Sequence, residues 1–208
     1  MFNASLVLML PKLEDKSGLT KAILGDWQFT TIVQAATGYP ITVNSGTVPG
    51  LSGNGYASGT GQNDGNLSRP NVVEGVDCKL GGDNPTQWLN PAAWTFNGYQ
   101  IGTNGNSGRN TCSGPSLFQV DASVYKNFKL TSSGRVKLQL RFEVFNLFNR
   151  DNFIANNTYQ YQPQNVVFNT ASGNTATQII SATPAGNFGQ LTNVRDPRTA
   201  QVGIRLMF

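Results

Sequence analysis

The tightest constraint on this chain is a strict two-residue alternation from Arg135 to Asn149. Val136, Leu138, Leu140, Phe142 and Val144 share one parity, and Lys137, Gln139, Arg141 and Glu143 share the other. Successive side chains of a strand point to opposite faces, so this segment has one apolar and one charged face. A tilted strand needs roughly 9–11 residues to cross a bilayer, and this run is long enough. The same alternation recurs from Phe118 to Phe128. There Phe118, Val120, Ala122, Val124 and Phe128 oppose Gln119, Asp121, Ser123, Tyr125 and Asn127. Thr131-Ser132-Ser133-Gly134 lies between the two runs and reads as the turn of a hairpin. At the C-terminus, Ala200, Val202, Ile204, Leu206 and Phe208 alternate with Gln201, Gly203, Arg205 and Met207. Two less regular strands come first: Ser5–Leu10, apolar on both faces, and Trp27–Val43. The latter is broken at Gly38-Tyr39-Pro40, where a rim or bulge suits a residue that cannot donate to a ladder. Helical periodicity is weak throughout. The expected fold is all-β, an antiparallel meander of about five strands near 4–11, 26–43, 117–129, 135–149 and 199–208.

The connections alternate in length, with about 15 residues (Lys12–Asp26), about 70 (Asn44–Ser116), about four, and about 48 (Arg150–Arg198), as short periplasmic turns and long extracellular loops do in outer-membrane barrels. Residues 1–208 are therefore read as a partial outer-membrane β-barrel domain, with extracellular loops at about 44–116 and 150–198. A soluble secreted β-sandwich acting as a binding module also has alternating strands. Structureless connections this long are uncommon in compact domains, and five strands supply little core for them.

Composition narrows the function classes. Charged residues are 12% of the 208 and Gly accounts for 23 positions, which fits polar loops joined to aromatic-bearing strands. The 15 basic residues form no run, so nucleic acid is not an expected partner. There is no His, which removes Ser-His-Asp and Cys-His catalysis and His-ligated zinc. The chain is read as non-catalytic and without a cofactor. Cys78 and Cys112 are too few for a four-ligand zinc site. They can form one disulfide in an oxidising compartment, or remain two thiols. No stretch of 18 apolar residues is present, so no membrane-spanning helix is expected. The apolar start, Met1 to Leu10, lacks a basic leader and reads as a strand, which suggests a fragment of a longer protein.

In a barrel, Lys137, Gln139, Arg141, Glu143 and Arg205 are expected to face the lumen. Val136, Leu138, Leu140, Phe142, Val144, Val202 and Ile204 are expected to face lipid. Trp27, Phe128, Phe145 and Phe148, near strand ends, are candidates for an interfacial aromatic girdle. Asp64, Asp77 and Asp83 are carboxylates in the long loop; Asp64 in Gln62-Asn63-Asp64-Gly65-Asn66 suggests a calcium ligand, but a calcium site needs six to eight oxygens and a Gly/Asn turn explains the segment better. Tyr56, Trp88, Trp94 and Tyr99 are candidates for stacking on sugars.

Several ordered motifs resemble the late barrel of TonB-dependent receptors, and within them the Oar-like group. They begin with Gly25-Asp26-Trp27-Gln28-Phe29 and Gly38-Tyr39-Pro40-Ile41-Thr42-Val43. Arg69-Pro70-Asn71, Trp88-Leu89-Asn90-Pro91-Ala92-Ala93-Trp94, Gly108-Arg109-Asn110, Gly114-Pro115 and Asp121 to Phe128 follow. The most specific is Arg141-Phe142-Glu143-Val144-Phe145-Asn146-Leu147-Phe148-Asn149. Phe188-Gly189-Gln190-Leu191-Thr192 and Arg195-Asp196-Pro197-Arg198 complete the series. The resemblance implies the C-terminal part of a 22-stranded barrel in the bacterial outer membrane, for energised uptake of a bulky nutrient such as a metal chelate, glycan or peptide. It implies as partners outer-membrane lipid, the rest of the barrel, a plug, and the TonB complex acting through that plug. Plug and TonB box are missing from this sequence. Gln201, Gly203, Leu206 and Phe208 match in spacing the C-terminal signal read by the barrel-assembly machinery. The competing readings are a surface adhesion or ligand-binding outer-membrane β-protein without transport, and a barrel hydrolase, which the lack of His disfavours.

Overall fold

The computed structural model describes residues 1–13, 15, 18–45, 69–81, 84–100, 103–131, 134–156, 158–161, 163–171 and 175–208. In chain order the elements are β1 (Phe2–Met9), α1 (Gly18–Leu24), β2 (Trp27–Ala36), β3 (Pro40–Asn44), β4 (Asn71–Val72), β5 (Trp94–Thr95), β6 (Tyr99–Gln100) and β7 (Cys112–Ser113). They continue with β8 (Leu117–Lys129), β9 (Lys137–Phe145), β10 (Phe153–Ile154), β11 (Thr158–Gln160), β12 (Gln164–Ala171), β13 (Thr175–Thr183), β14 (Asn193–Val194) and β15 (Thr199–Met207). Two units result. The first gathers Met1–Thr37, Ser116–Asn152 and Val194–Phe208, and the second Gly38–Pro115 and Phe153–Asn193.

The first unit holds one five-stranded sheet in the order β1-β2-β8-β9-β15, with every neighbouring pair antiparallel. Strands adjacent along the chain of this unit are adjacent in space, so the fold is the expected all-β meander. The boundaries differ from the sequence pattern at three places. The second strand ends at Ala36, and Pro40–Asn44 belongs instead to the second unit, parallel to β11 and antiparallel to β7. Gly38 and Pro40 sit at that break. The fourth strand starts at Lys137, because Val136 is part of the turn. The Val136 amide donates to Thr131 Oγ1 at 3.2 Å, and its carbonyl accepts from the Leu130 amide at 2.9 Å. That strand stops at Phe145 because Asn146 and Asn149 take left-handed φ values of 52° and 50°, a conformation Asn tolerates better than most side chains. The Lys12–Asp26 connection contains α1, seven residues long. A helix this short lies below the window in which helical periodicity registers.

The second unit replaces the expected structureless loops. Apart from the antiparallel pair β12–β13 its strands are short, and a core of Ile41, Val43, Leu89, Phe96, Ile179 and neighbouring residues holds them together. The rings form a connected series: Trp94 edge-on to Phe188 at 5.6 Å, Phe188 to Tyr161 at 5.2 Å, and Tyr161 to Phe96 at 5.5 Å. Edge and tilted contacts of this kind add to the burial of apolar area. The Trp88–Trp94 segment is built to enter that core. Asn90 Oδ1 accepts the Ala92 amide at 3.1 Å and caps a 3₁₀ turn at Pro91–Ala93, while Leu89, Ala93 and Trp94 turn inward. Gly189 closes against the same segment, accepting the Trp88 and Leu89 amides at 3.1 and 3.2 Å. Its φ is +77°, and an added Cβ would lie 2.6 Å from Leu89 Cβ, so only Gly fits there.

Cys78 and Cys112 are bonded, with S–S 2.10 Å and Cα–Cα 6.0 Å. The bond spans 34 residues, a closure for which the chain-entropy model gives about 4 kcal/mol. Reduction, or Cys78→Ser with Cys112→Ser, is therefore expected to open the second unit to proteases. Limited proteolysis followed by mass spectrometry reads this directly. Unchanged cleavage rates within Gly38–Pro115 would contradict a stabilising role.

Candidate functional site: the two faces of the sheet

Parity and register divide the first unit into two chemically distinct faces. On one, Gln28 pairs with Tyr125, Tyr125 with Arg141, and Arg141 with Gly203. One step along, Thr30, Ser123, Glu143 and Gln201 line up across the same four strands. Six of the polar groups on this face are linked to one another, while the buried Thr30 hydroxyl has no partner. Tyr125 Oη donates to Glu143 Oε1 at 2.8 Å, and the Gln201 amide donates to the other Glu143 oxygen. Arg141 lies over the Tyr125 ring at 5.2 Å and donates from Nε to Gln139 Oε1 at 2.7 Å. Gln139 Nε2 donates onward to Asn127 Oδ1 at 2.9 Å. A single hydrogen-bonded and cation–π ladder thus runs from Asn127 to Gln201 over β8, β9 and β15. Lys137 and Arg205 stand exposed on the same face.

The opposite face carries Leu8, Phe29, Val124, Phe142 and Val202 in one row across five strands, with Leu140 beside Ile204 and Leu138 beside Leu206. Val144 pairs with Ala200 on this face. Val202 is 75% exposed and Ile204 72% exposed. A contiguous apolar face left uncovered marks contact with something other than water.

One charged residue breaks this division among the described residues of the sheet. Lys126 pairs with Trp27 and Leu140, so it lies on the apolar face, though only 4% exposed. Its ammonium donates to the Gly25 carbonyl and sits 5.2 Å from the Trp27 ring centre and 5.4 Å from that of Phe128. The Trp27 indole N–H donates to the Ile23 carbonyl at 2.8 Å. Trp27 and Phe128 therefore flank a lysine at one end of the apolar face. Phe145, proposed for the same girdle, lies on the polar face, because its parity is that of Arg141 and Glu143 and it pairs with Thr199. Phe148 follows the end of β9, outside the sheet.

At the other end of the sheet, the Asn146–Asn149 segment acts as a staple. The Asn146 amide donates to Asp121 Oδ1 at 2.9 Å. Its side chain donates to the Arg150 and Asp196 carbonyls at 3.0 and 3.3 Å and accepts the Arg150 amide at 3.0 Å. Asn149 Oδ1 accepts the Arg198 amide at 3.0 Å, just before β15. The Leu147 amide donates to the Val120 carbonyl at 2.7 Å. One turn therefore anchors β8, β9 and the entry to β15. The sequence marked this motif by likeness. Its role becomes visible only when Asp121 and Asp196 are brought beside it.

The loop residues considered for ligand stacking divide. Trp94 and Tyr99 are 3% and 5% exposed, members of the core, so neither offers a face to a sugar. Trp88 is partly buried; its indole N–H donates to the Ser113 carbonyl at 3.0 Å, and the Lys79 ammonium lies 5.8 Å from its ring centre. Tyr56, Asp64 and Asp83 lie outside the described residues. The Asp77 carbonyl accepts from the Asn90 side chain at 3.0 Å, and no group of three or more His, Cys, Asp or Glu occurs among the described residues. In the second unit, burial pushes the Tyr159 and Tyr161 phenols above their ordinary range, as expected of core tyrosines.

A twisted meander with an uncovered apolar face and a hydrogen-bonded polar one has the makings of a barrel wall that crosses a membrane, and the class it defines is the outer-membrane β-protein. Residues 1–201 match the model of the outer membrane beta barrel domain, and the chain belongs to that family, which places it in the bacterial outer membrane. Searches of the curated proteins and of the solved structures find no match.

The staple sets a measurable stability. Asn146→Ala removes three hydrogen bonds made by a buried side chain, at about 1 kcal/mol each, and is expected to cost about 3 kcal/mol. Denaturant titration of the lipid-inserted chain should show that loss, with new protease cleavage near Arg195–Arg198. A loss below about 1 kcal/mol, the worth of one ordinary hydrogen bond, would remove the staple from the account.

Proposed function

We propose that this chain is barrel wall of a TonB-dependent receptor, importing a bulky nutrient through a lumen that the polar face lines. The observation that carries this is the contrast between the two faces of one sheet. The Asn127–Gln201 ladder suits a water-filled interior, and the opposed row from Leu8 to Val202 suits hydrocarbon. On this reading Lys137, Gln139, Arg141, Glu143 and Arg205 face the lumen. Leu138, Leu140, Phe142, Val144, Val202 and Ile204 face lipid. The family match supports the barrel, and the ordered motifs from Gly25 to Arg198 support the receptor class.

The Thr131–Gly134 turn, α1 and Phe208 share one end of the sheet, which is periplasmic if short connections face the periplasm. The partners are then outer-membrane lipid, further barrel strands, a plug, and the TonB complex acting on that plug. Gln201, Gly203, Leu206 and Phe208 are the residues offered to the assembly machinery. The chain works by passage and binding, without catalysis.

Two experiments bear on this. Phe142→Arg puts a guanidinium on the lipid side, at about 2–4 kcal/mol near the midplane, and should sharply lower outer-membrane levels. Gln139→Arg on the lumen side should not. Equal levels for the two variants would remove the face assignment. For transport, strains lacking this protein and strains lacking TonB are compared on metal chelates, glycans and peptides as sole sources. Both should fail on the same nutrient. Normal growth with lost surface attachment would favour the adhesion reading instead.

A further inference from the structure

The Cys78–Cys112 bond is built into the core of the second unit. Cys112 is 6% exposed and sits in β7, opposite the fully buried Ile41 of β3. Cys78 is partly buried and packs against the same core. Residues beside both sulfurs are tied down around the bond. The Asn90 amide donates to the Cys78 carbonyl at 2.9 Å. The Trp88 indole donates to the Ser113 carbonyl at 3.0 Å, and the Lys79 ammonium to Ser113 Oγ at 3.3 Å.

Sulfurs held this way are poorly placed to be oxidised where they lie. Thiol–disulfide exchange needs a third sulfur to attack one of them, and it passes through a mixed disulfide. Cys112 is closed to the sulfur of another protein while β7 pairs with β3 and Trp88 and Lys79 hold Ser113. The two thiols therefore meet their oxidant before the second unit closes.

Rates make that window narrow. Small domains fold with rate constants of roughly 1 to 10⁵ per second. Disulfide formation takes on the order of seconds to hours, depending on the oxidant. Only its fast end competes with folding, and that end needs a catalyst. An outer-membrane protein crosses the periplasm, a compartment whose thiols are kept oxidised by enzymes. The 208 residues hold two cysteines and hence a single intramolecular pairing, so oxidation without isomerisation is enough.

We propose that Cys78 and Cys112 are the substrate of a periplasmic thiol–disulfide oxidoreductase, which joins them before the second unit closes and before the sheet enters the membrane. One chain thiolate attacks the enzyme's disulfide, forming a mixed disulfide and releasing one enzyme thiolate. The other chain thiolate attacks the chain's sulfur in that mixed disulfide, forming the Cys78–Cys112 bond and releasing the second enzyme thiolate. Two electrons pass to the enzyme, and the two protons lost by the chain end on the enzyme's dithiol. The order relative to insertion rests on the orientation proposed above, in which the long connections lie outside the cell and beyond the enzyme.

The test is a pulse label of the chain in cells, followed by acid quenching and alkylation with a maleimide polymer that adds mass at each free thiol. A chain with Cys78→Ser and Cys112→Ser gives the baseline. The pair should close within about seconds, and should do so equally in cells depleted of the barrel-assembly machinery. In cells lacking the oxidoreductase, closure should slow to about minutes or longer, and cystine in the medium should restore it. Thiols that stay free while assembly is blocked would put oxidation after insertion and overturn the order. Equal closure rates with and without the enzyme would overturn its part. Orientation is read separately, by a membrane-impermeant amine reagent on intact cells, which should label the exposed Lys79. No label there overturns the orientation alone, and the measured order of oxidation and assembly still stands.

Discussion

Strand register is the constraint on which the rest of this sheet depends. Because side chains alternate with a period of two, a slip of one residue in any pair would send Arg141 and Glu143 to the side of Val202. Two devices pin the register at opposite ends of the strands. At one end, the Asn146 turn binds Asp121 of β8 and the segment entering β15 in a single set of hydrogen bonds. At the other, the Thr131–Gly134 turn closes β8 onto β9, and Lys126 ties β8 to the Gly25 carbonyl ahead of β2. Between them the Tyr125–Glu143–Gln201 ladder is complete only in this register.

The second unit meets a different demand. A long connection must satisfy its own backbone groups, and here it does so by folding. Asn84 and Asn90 each precede a Pro and cap a 3₁₀ turn, which satisfies amides at the turn starts and steers Leu89, Ala93 and Trp94 inward. The Cys78–Cys112 bond and the Phe96–Tyr161–Phe188 ring contacts then help close a core in which most strands, β12 and β13 apart, are too short to hold by ladder bonds alone. Several motifs that suggested a receptor thus have plain structural work. Trp88–Trp94 is core and cap, and Gly189 is a position where a side chain will not fit.

What could be read from the sequence follows from where a period exists. β8, β9 and β15 are long enough for alternation to show, so their faces were legible residue by residue. The second unit was not legible: most of its strands are two or three residues long and have no period, and in the longer β12–β13 pair register shifts between Gln164 and Thr170 interrupt the alternation. That is why Trp94 and Tyr99 looked available to a ligand and are in fact buried. Nearness to a strand end marks Phe145 for a girdle, whereas its parity, that of Arg141 and Glu143, sets it on the polar face. Val136 fitted the parity but sits in a turn, and α1 was too short to announce itself.

Lys126 is the exception that explains the end of the sheet. By parity it belongs with Val124 and Phe128, and a lysine at the bilayer midplane would cost about 2–4 kcal/mol. In the proposed placement it is not at the midplane. Register places it opposite Trp27, the first residue of β2, where that cost falls to about 0–1 kcal/mol. Its ammonium is desolvated, but it gains the Gly25 carbonyl and two aromatic faces, and a desolvated cation–π contact is worth about 2 kcal/mol. Those contacts offset part of the cost of desolvating the ammonium. In the proposed lipid-facing placement, a charge that contradicts the alternation marks where hydrocarbon gives way to headgroups, and the exposed Leu19 and Ile23 of α1 lie toward that same end of the sheet.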